Sequence, residues 1–250
     1  MNRKNLFLKL SGLMVITCVL FFAGCKKDNN NNLSINYMYN YYPVDSGHWI
    51  IYNVDSVNFS YDGVKHYYDT SHYQMQAFYG DTIHDLLDSV NFRVYYSTRP
   101  DNNSNWGTPY GTYGLRTMTT LQAVENDIRF IKLVFPPQLN GTWNGNLYVP
   151  YTGPSGPYAV FGNWNYYYEN IDTTISINGQ TYNNCVVVSE VNNVNVVNKT
   201  VRTEIYAPTV GMIYQEWEAL SVQGGSTLIG WDTGATQGFS IHMWALSHNP

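Results

Sequence analysis

The chain has 250 residues, long enough for one large β domain. Only 12% are Asp, Glu, Lys or Arg, where about 25% is usual, while aromatic residues reach 16% and include 23 tyrosines. The formal charge is −5; without the amino-terminal segment that holds Arg3, Lys4 and Lys9, 10 basic residues face 18 acidic ones. Such a surface repels nucleic acid, and no Lys/Arg cluster offsets it.

Arg3, Lys4 and Lys9 flank or precede an apolar stretch of 11 residues, Leu13 to Ala23. Crossing the roughly 30 Å of bilayer hydrocarbon takes about 20 such residues, so this run reads as the apolar part of a signal peptide. Ala23 and Gly24 directly before Cys25 resemble a bacterial lipobox, in which the cysteine sulfur receives acyl chains of the palmitate kind and the chain is cut before it. The expected organisation is a lipoprotein signal peptide over 1–24, a flexible asparagine-rich tether over 25–34 and a single β domain over 35–250. Cys18 leaves with the signal peptide and Cys25 is acylated, so Cys185 remains alone and no disulfide framework is expected.

The first strand runs from Ser46 to a hairpin at Asp62-Gly63, a pair suited to the positive φ of a type I′ turn. The second covers Val64 to Phe78. Asp81 to Asp88 reads as a helical turn or an irregular loop, and Val90 to Tyr95 as a third strand. Asp101 to Tyr113 is rich in Asn, Gly, Pro and Ser and reads as a loop, with Trp106 its bulky apolar residue. Leu115 to Leu121 and Ile128 to Phe135 are further strands, ended by Pro136-Pro137, neither of which can donate to a ladder. Ile171 to Ile177, Asn178-Gly179 and Tyr182 to Val191 form a hairpin, and Val194 to Tyr206 reads as one long strand bent at Asn198-Lys199. After a corner at Ala207 to Gly211, strands over Met212 to Val222 and Phe239 to Leu246 close the sheet. The predicted fold is all-β, a single antiparallel domain of about ten to twelve strands in meander order, coiled into a barrel, half-barrel or sandwich.

Residues with candidate chemistry fit no catalytic or metal-binding pattern well. His66, Asp69 and His72 are three apart, which sends neighbours in a strand to opposite faces. Asp81, Asp85 and Asp88 lack the glycine and ordered acids of a calcium loop. Glu216 and Glu218 share a strand face at roughly 7 Å, a separation compatible with glycoside hydrolysis but common to any i, i+2 pair. Cys185 precedes Val186-Val187-Val188, where a buried, inert thiol is expected. No metal and no cofactor is therefore expected. The aromatic residues Trp106, Trp164, Tyr166, Tyr167 and Tyr168, which sit beside loop-rich and asparagine-rich segments, are the candidate ligand-binding set, suited to stacking on a sugar or gripping a peptide.

Three segments carry a resemblance: Glu125 to Pro136, Trp143 to Asn146, and Ile205 to Tyr214. Through them, and through the lipobox, the chain resembles a family of uncharacterised lipoproteins from Bacteroidota over about residues 40–247. The resemblance implies a mostly β fold and a membrane location and supplies no activity or catalytic residue. Lys27-Asp28 after the cysteine is similar to the surface-export signals of such lipoproteins, so an outer-membrane protein is expected, at the cell surface or facing the periplasm.

The function expected from these residues is a lipid-anchored, non-catalytic protein that binds a glycan or protein partner through aromatic loops, with its bilayer contact made by acylated Cys25. One alternative is a carrier that shelters an apolar ligand inside a half-barrel. Another is a hydrolase of cell-surface glycans.

Overall fold

The computed structural model describes residues 36–84, 86, 89–162, 164–222 and 230–249. The signal peptide, Cys25 and the tether lie outside the described residues, as do Asp85 and Asp88. Among the described residues there are twelve strands: β1 (Trp49–Tyr61), β2 (His66–His84), β3 (Val90–Arg99), β4 (Tyr110–Arg116), β5 (Thr120–Glu125), β6 (Ile128–Val134), β7 (Thr142–Trp143), β8 (Tyr166–Ile177), β9 (Gln180–Val194), β10 (Asn198–Ala207), β11 (Gly211–Ser221) and β12 (Gln237–His248). They form one antiparallel sheet in the order β6-β5-β4-β3-β2-β1-β12-β11-β10-β9-β8-β7, curled into a nearly closed barrel. Of the architectures open at the sequence level, the barrel is the one formed.

Alternation drives the curl. Ile50, Tyr52 and Val54 of β1 and Val90, Phe92 and Val94 of β3 point inward and are buried. A twisted sheet this wide gains apolar burial by rolling its inner face onto itself. Tyr52, Tyr79, Tyr166, Tyr168 and Tyr206 complete a core unusually rich in tyrosine.

The roll ends where β6 meets the β7–β8 side, and this seam is held by few backbone bonds. The Ile131 amide donates to the Gly145 carbonyl at 2.8 Å, and Trp143 Nε1 donates to the Ile131 carbonyl at 2.8 Å. The Tyr168 hydroxyl accepts from the Val134 amide at 3.0 Å and donates to the Val134 carbonyl at 2.7 Å. Gly145 has to be glycine here, because a Cβ would stand 2.4 Å from the buried Tyr166 ring.

One end of the barrel is plugged. The segment from Asn36 to Val44 lies across it, burying Tyr41, Tyr42 and Val44. Tyr41 donates its hydroxyl proton to the Asn184 carbonyl at 2.7 Å, and the Thr209 amide donates to the Asn40 carbonyl at 2.7 Å. Thr209 belongs to the corner between β10 and β11, where Thr209 (φ 66°) and Gly211 (φ 101°) both take left-handed backbone.

Several boundaries differ from expectation for local reasons. Asn178 and Gly179 both have positive φ, as a type I′ turn needs, whereas at Asp62-Gly63 only the glycine does. Asp62 instead caps a wider loop, its carboxylate accepting from the Val64 and Lys65 amides at 2.9 and 2.8 Å. Val194 to Tyr206 is not one strand: β9 ends at Val194 and β10 begins at Asn198, because the Asn195 side chain accepts from the Val197 and Asn198 amides and reverses the chain. Leu115 to Leu121 is likewise broken, where Thr117 Oγ1 accepts from the Thr120 amide at 3.0 Å. The segment from Asp81 to His84 continues β2.

Candidate functional site

The inside of the barrel holds a cavity of about 530 Å³. Its floor, next to the plug, is made by buried Tyr42, Tyr52, Tyr79 and Tyr206. Met75, Met212, Met243, Trp217 and Ile241 form apolar walls. At the other end Tyr110, Tyr113, Asn126 and Asp127 line it and are exposed, so the mouth opens beside the β5–β6 turn.

One wall carries charge. Glu125 (β5), Lys132 (β6), Glu190 (β9) and Arg202 and Glu204 (β10) meet in a network in which Lys132, Glu190, Arg202 and Glu204 are buried. Lys132 Nζ contacts Glu190 Oε1, lies 2.5 Å from Glu204 Oε1 and 3.2 Å from Glu125 Oε1. Arg202 Nη2 lies 2.7 Å from Glu125 Oε2 and 3.1 Å from Glu204 Oε1. Glu204 also accepts from Tyr206 at 2.5 Å and from Gln215 Nε2 at 3.0 Å. These pairs join β5 and β6 to β9 and β10, so charges span the seam where backbone bonds are few.

Three donors in this wall, Arg202 Nη1, Arg202 Nε and Trp217 Nε1, and one acceptor, Glu190 Oε2, are buried and have no hydrogen-bond partner among the described residues. Arg202 Nε lies 3.1 Å from Glu190 Oε2 but without the alignment of a hydrogen bond, so proximity rather than a formed bond describes that contact. The guanidinium carbon stands 4.6 Å over the Trp217 ring, a cation–π contact.

Two cations facing three carboxylates leave one negative charge in excess. Burial, ahead of the attraction of Arg202 and the repulsion of Glu204, pushes the Glu190 carboxyl up to about 7. Burial would raise Glu125 and Glu204 as well, but Arg202 and Lys132 outweigh it and hold both below the usual carboxylate range. The excess proton therefore resides on Glu190. Its folded-state value lies above an unfolded value near 4.3, so stability falls as pH climbs from there through about 7. Glu190→Gln removes that decline: relative to wild type, its urea midpoint rises between pH 5 and pH 8. Parallel curves for the two proteins would contradict the assignment.

The predicted binding residues fall in different places. Tyr166 and Tyr168 are 0% and 1% exposed, because the segment read as loop-rich is strand β8 and even positions face inward. Trp164 is buried and donates to the Val160 carbonyl at 2.6 Å. Tyr167 is half-buried on the opposite face of β8. Trp106 is half-buried in its loop, under the Arg99 guanidinium at 4.2 Å. These five side chains do not form one surface platform. Tyr166 and Tyr168 do belong to the same packed interior as the cavity floor.

Glu216 and Glu218 share the outer face with His242, and their ligand atoms lie within 4.8 Å of one another. Glu218 Oε2 contacts Lys199 Nζ, and Ser240 donates to its other oxygen at 3.4 Å. The neighbouring His242 ring, 3.9 Å away, with Lys199 adding to it, brings the Glu218 carboxyl down to about 2, so it donates no proton near neutral pH. In the cavity, Glu125 and Glu204 converge but are held ionised, and Glu190 is not among the lining residues. Cys185 is buried, and burial raises its thiol to about 11, which keeps it protonated and inert.

The network and cavity were not singled out from the sequence. A signal existed: Lys132 sits alone in Phe130-Ile131-Lys132-Leu133-Val134-Phe135, and Glu190 follows Val186-Val187-Val188-Ser189. Single charges of opposite sign inside apolar runs mark paired burial.

No protein-family model matches the chain, and no curated protein matches it. Among solved structures, a "putative lipoprotein" from Parabacteroides distasonis is similar at a TM-score of 0.40 and 9% identity, over 84% of this chain and 98% of that one.

Proposed function

We propose that this protein is a lipid-anchored, non-catalytic binding protein whose ligand sits inside the barrel. The observation that carries this reading is the cavity of about 530 Å³, within the range of small-molecule sites and lined by tyrosine, methionine and tryptophan with a few buried polar groups. The carrier alternative thereby moves ahead of surface aromatic loops, because three of the five candidate aromatics are packed into the protein. N-phenyl-1-naphthylamine, a neutral dye that fluoresces in apolar surroundings, tests it: the full chain carrying Cys25→Ala is expected to take up one dye molecule saturably. Absence of saturable uptake would overturn the reading.

The anchor belongs to the same proposal. Cys25, acylated, holds the protein at the outer membrane, on the cell surface or facing the periplasm, through the tether that joins the β domain. Tyr37 stacks on Tyr39 at 5.4 Å and Tyr39 packs on Phe135, which places the amino-terminal end of the described residues at the plugged end, away from the mouth. Cys25→Ala is expected to abolish acyl labelling and release the protein from the membrane fraction; unchanged labelling would overturn the anchor.

A further inference from the structure

We propose that the ligand of the cavity is an uncharged molecule with an apolar ring body and a carbonyl-type oxygen, held by Arg202 and Trp217. The inference rests on the cavity reading and deepens it. Arg202, only 1% exposed, and Trp217 line the cavity on adjacent strands and face each other in register. Arg202 Nη1 and Trp217 Nε1 each carry a buried N–H with no acceptor among the described residues. Buried donors without partners carry a desolvation penalty, and the two orphans side by side are both donors. The one orphan acceptor of this wall, Glu190 Oε2, lies by Arg202 Nε at 3.1 Å and its residue is not among those lining the cavity, so what the cavity side lacks is an acceptor.

Charge selects the kind of acceptor. Lys132 and Arg202 already face three carboxylates, and Asp127 stands at the mouth. A ligand carboxylate would add a negative charge to a low-dielectric wall in which Lys132 and Arg202 are already matched by Glu125 and Glu204. A ketone, amide or ester oxygen accepts both N–H groups without that penalty. The tyrosine and methionine walls supply flat, polarisable surface for the ring body.

Three naphthalenes of similar size separate the possibilities: 2-acetylnaphthalene, with a neutral carbonyl; 2-ethylnaphthalene, with no acceptor; and 2-naphthoate, with a carboxylate. Competition against N-phenyl-1-naphthylamine on the full chain carrying Cys25→Ala gives the three affinities. The ketone is expected to bind roughly tenfold tighter than the hydrocarbon, the worth of one to two buried hydrogen bonds, and tighter than the acid. Trp217→Phe keeps an aromatic ring but removes the N–H; it is expected to weaken the ketone severalfold more than it weakens the hydrocarbon. Equal affinity of ketone and hydrocarbon in the unmutated cavity, or tightest binding by naphthoate, would overturn the inference while leaving the cavity reading intact. Binding of none of the three would overturn both. The comparison in the unmutated cavity decides the matter even if Trp217→Phe does not fold.

Discussion

Lys132→Met is expected to cost the protein about 3–5 kcal/mol of folding stability, the loss typical when one partner of a buried ion network is removed. Lys132 is 2% exposed and touches all three carboxylates of the network. Without it, Glu190, Glu204 and Glu125 share Arg202 alone in a medium where unpaired charge is poorly solvated. The loss falls at the seam, where β6 otherwise holds β7 and β8 by a handful of bonds. Against a total near 5–15 kcal/mol for a typical domain, this takes a large share. Urea denaturation measures it, and a second variant makes the cause explicit. Adding Glu204→Gln to Lys132→Met removes a stranded charge and is expected to recover part of the loss. If Lys132→Met shifts the midpoint no more than a surface lysine substitution does, the network does not hold the seam.

Ala123→Trp is expected to close the cavity to ligand with little harm to the barrel. Ala123 lines the cavity opposite Gly114 and is only half-buried, so a large side chain can grow into the open space. Displacing or compressing a bound dye against that ring costs about 1–3 kcal/mol, as in an overpacked core, or roughly tenfold to a hundredfold in affinity. The Ala123 side chain takes no part in the ion pairs of the network or in the hydrogen bonds of the plug, so the urea midpoint is expected to stay close to that of the parent.

The fold was legible where alternation and turn residues agree. The first strand, the Asn178-Gly179 turn and the corner ending at Gly211 all appear as read, and strand count and meander order follow from them. What failed locally was competition by side chains for backbone amides: Asn195 and Thr117 each reverse or break the chain where hydrophobic periodicity alone runs on. The site was harder to see for a different reason. Arg202, Glu204 and Tyr206 occupy alternate positions of β10, but Thr203 and Ile205 on the other face give no contrast that says which side is inside. Only closure of the barrel decides it, by bringing β6 against β9 and β10. The tyrosines misled in the same way, since Tyr166 and Tyr168 look equally suited to a wet platform and to a packed wall. Their hydroxyls settle inward because partners are there: Tyr168 bonds Val134, and Tyr166 donates to Asn146 at 2.9 Å.

Paired titrations of N-phenyl-1-naphthylamine into the full chain carrying Cys25→Ala, with and without Ala123→Trp, bear on the barrel's role. The cavity predicts saturable uptake of one dye molecule that falls at least tenfold in the tryptophan variant while stability holds. Equal uptake by the two proteins would place the dye outside the barrel and contradict an internal binding site.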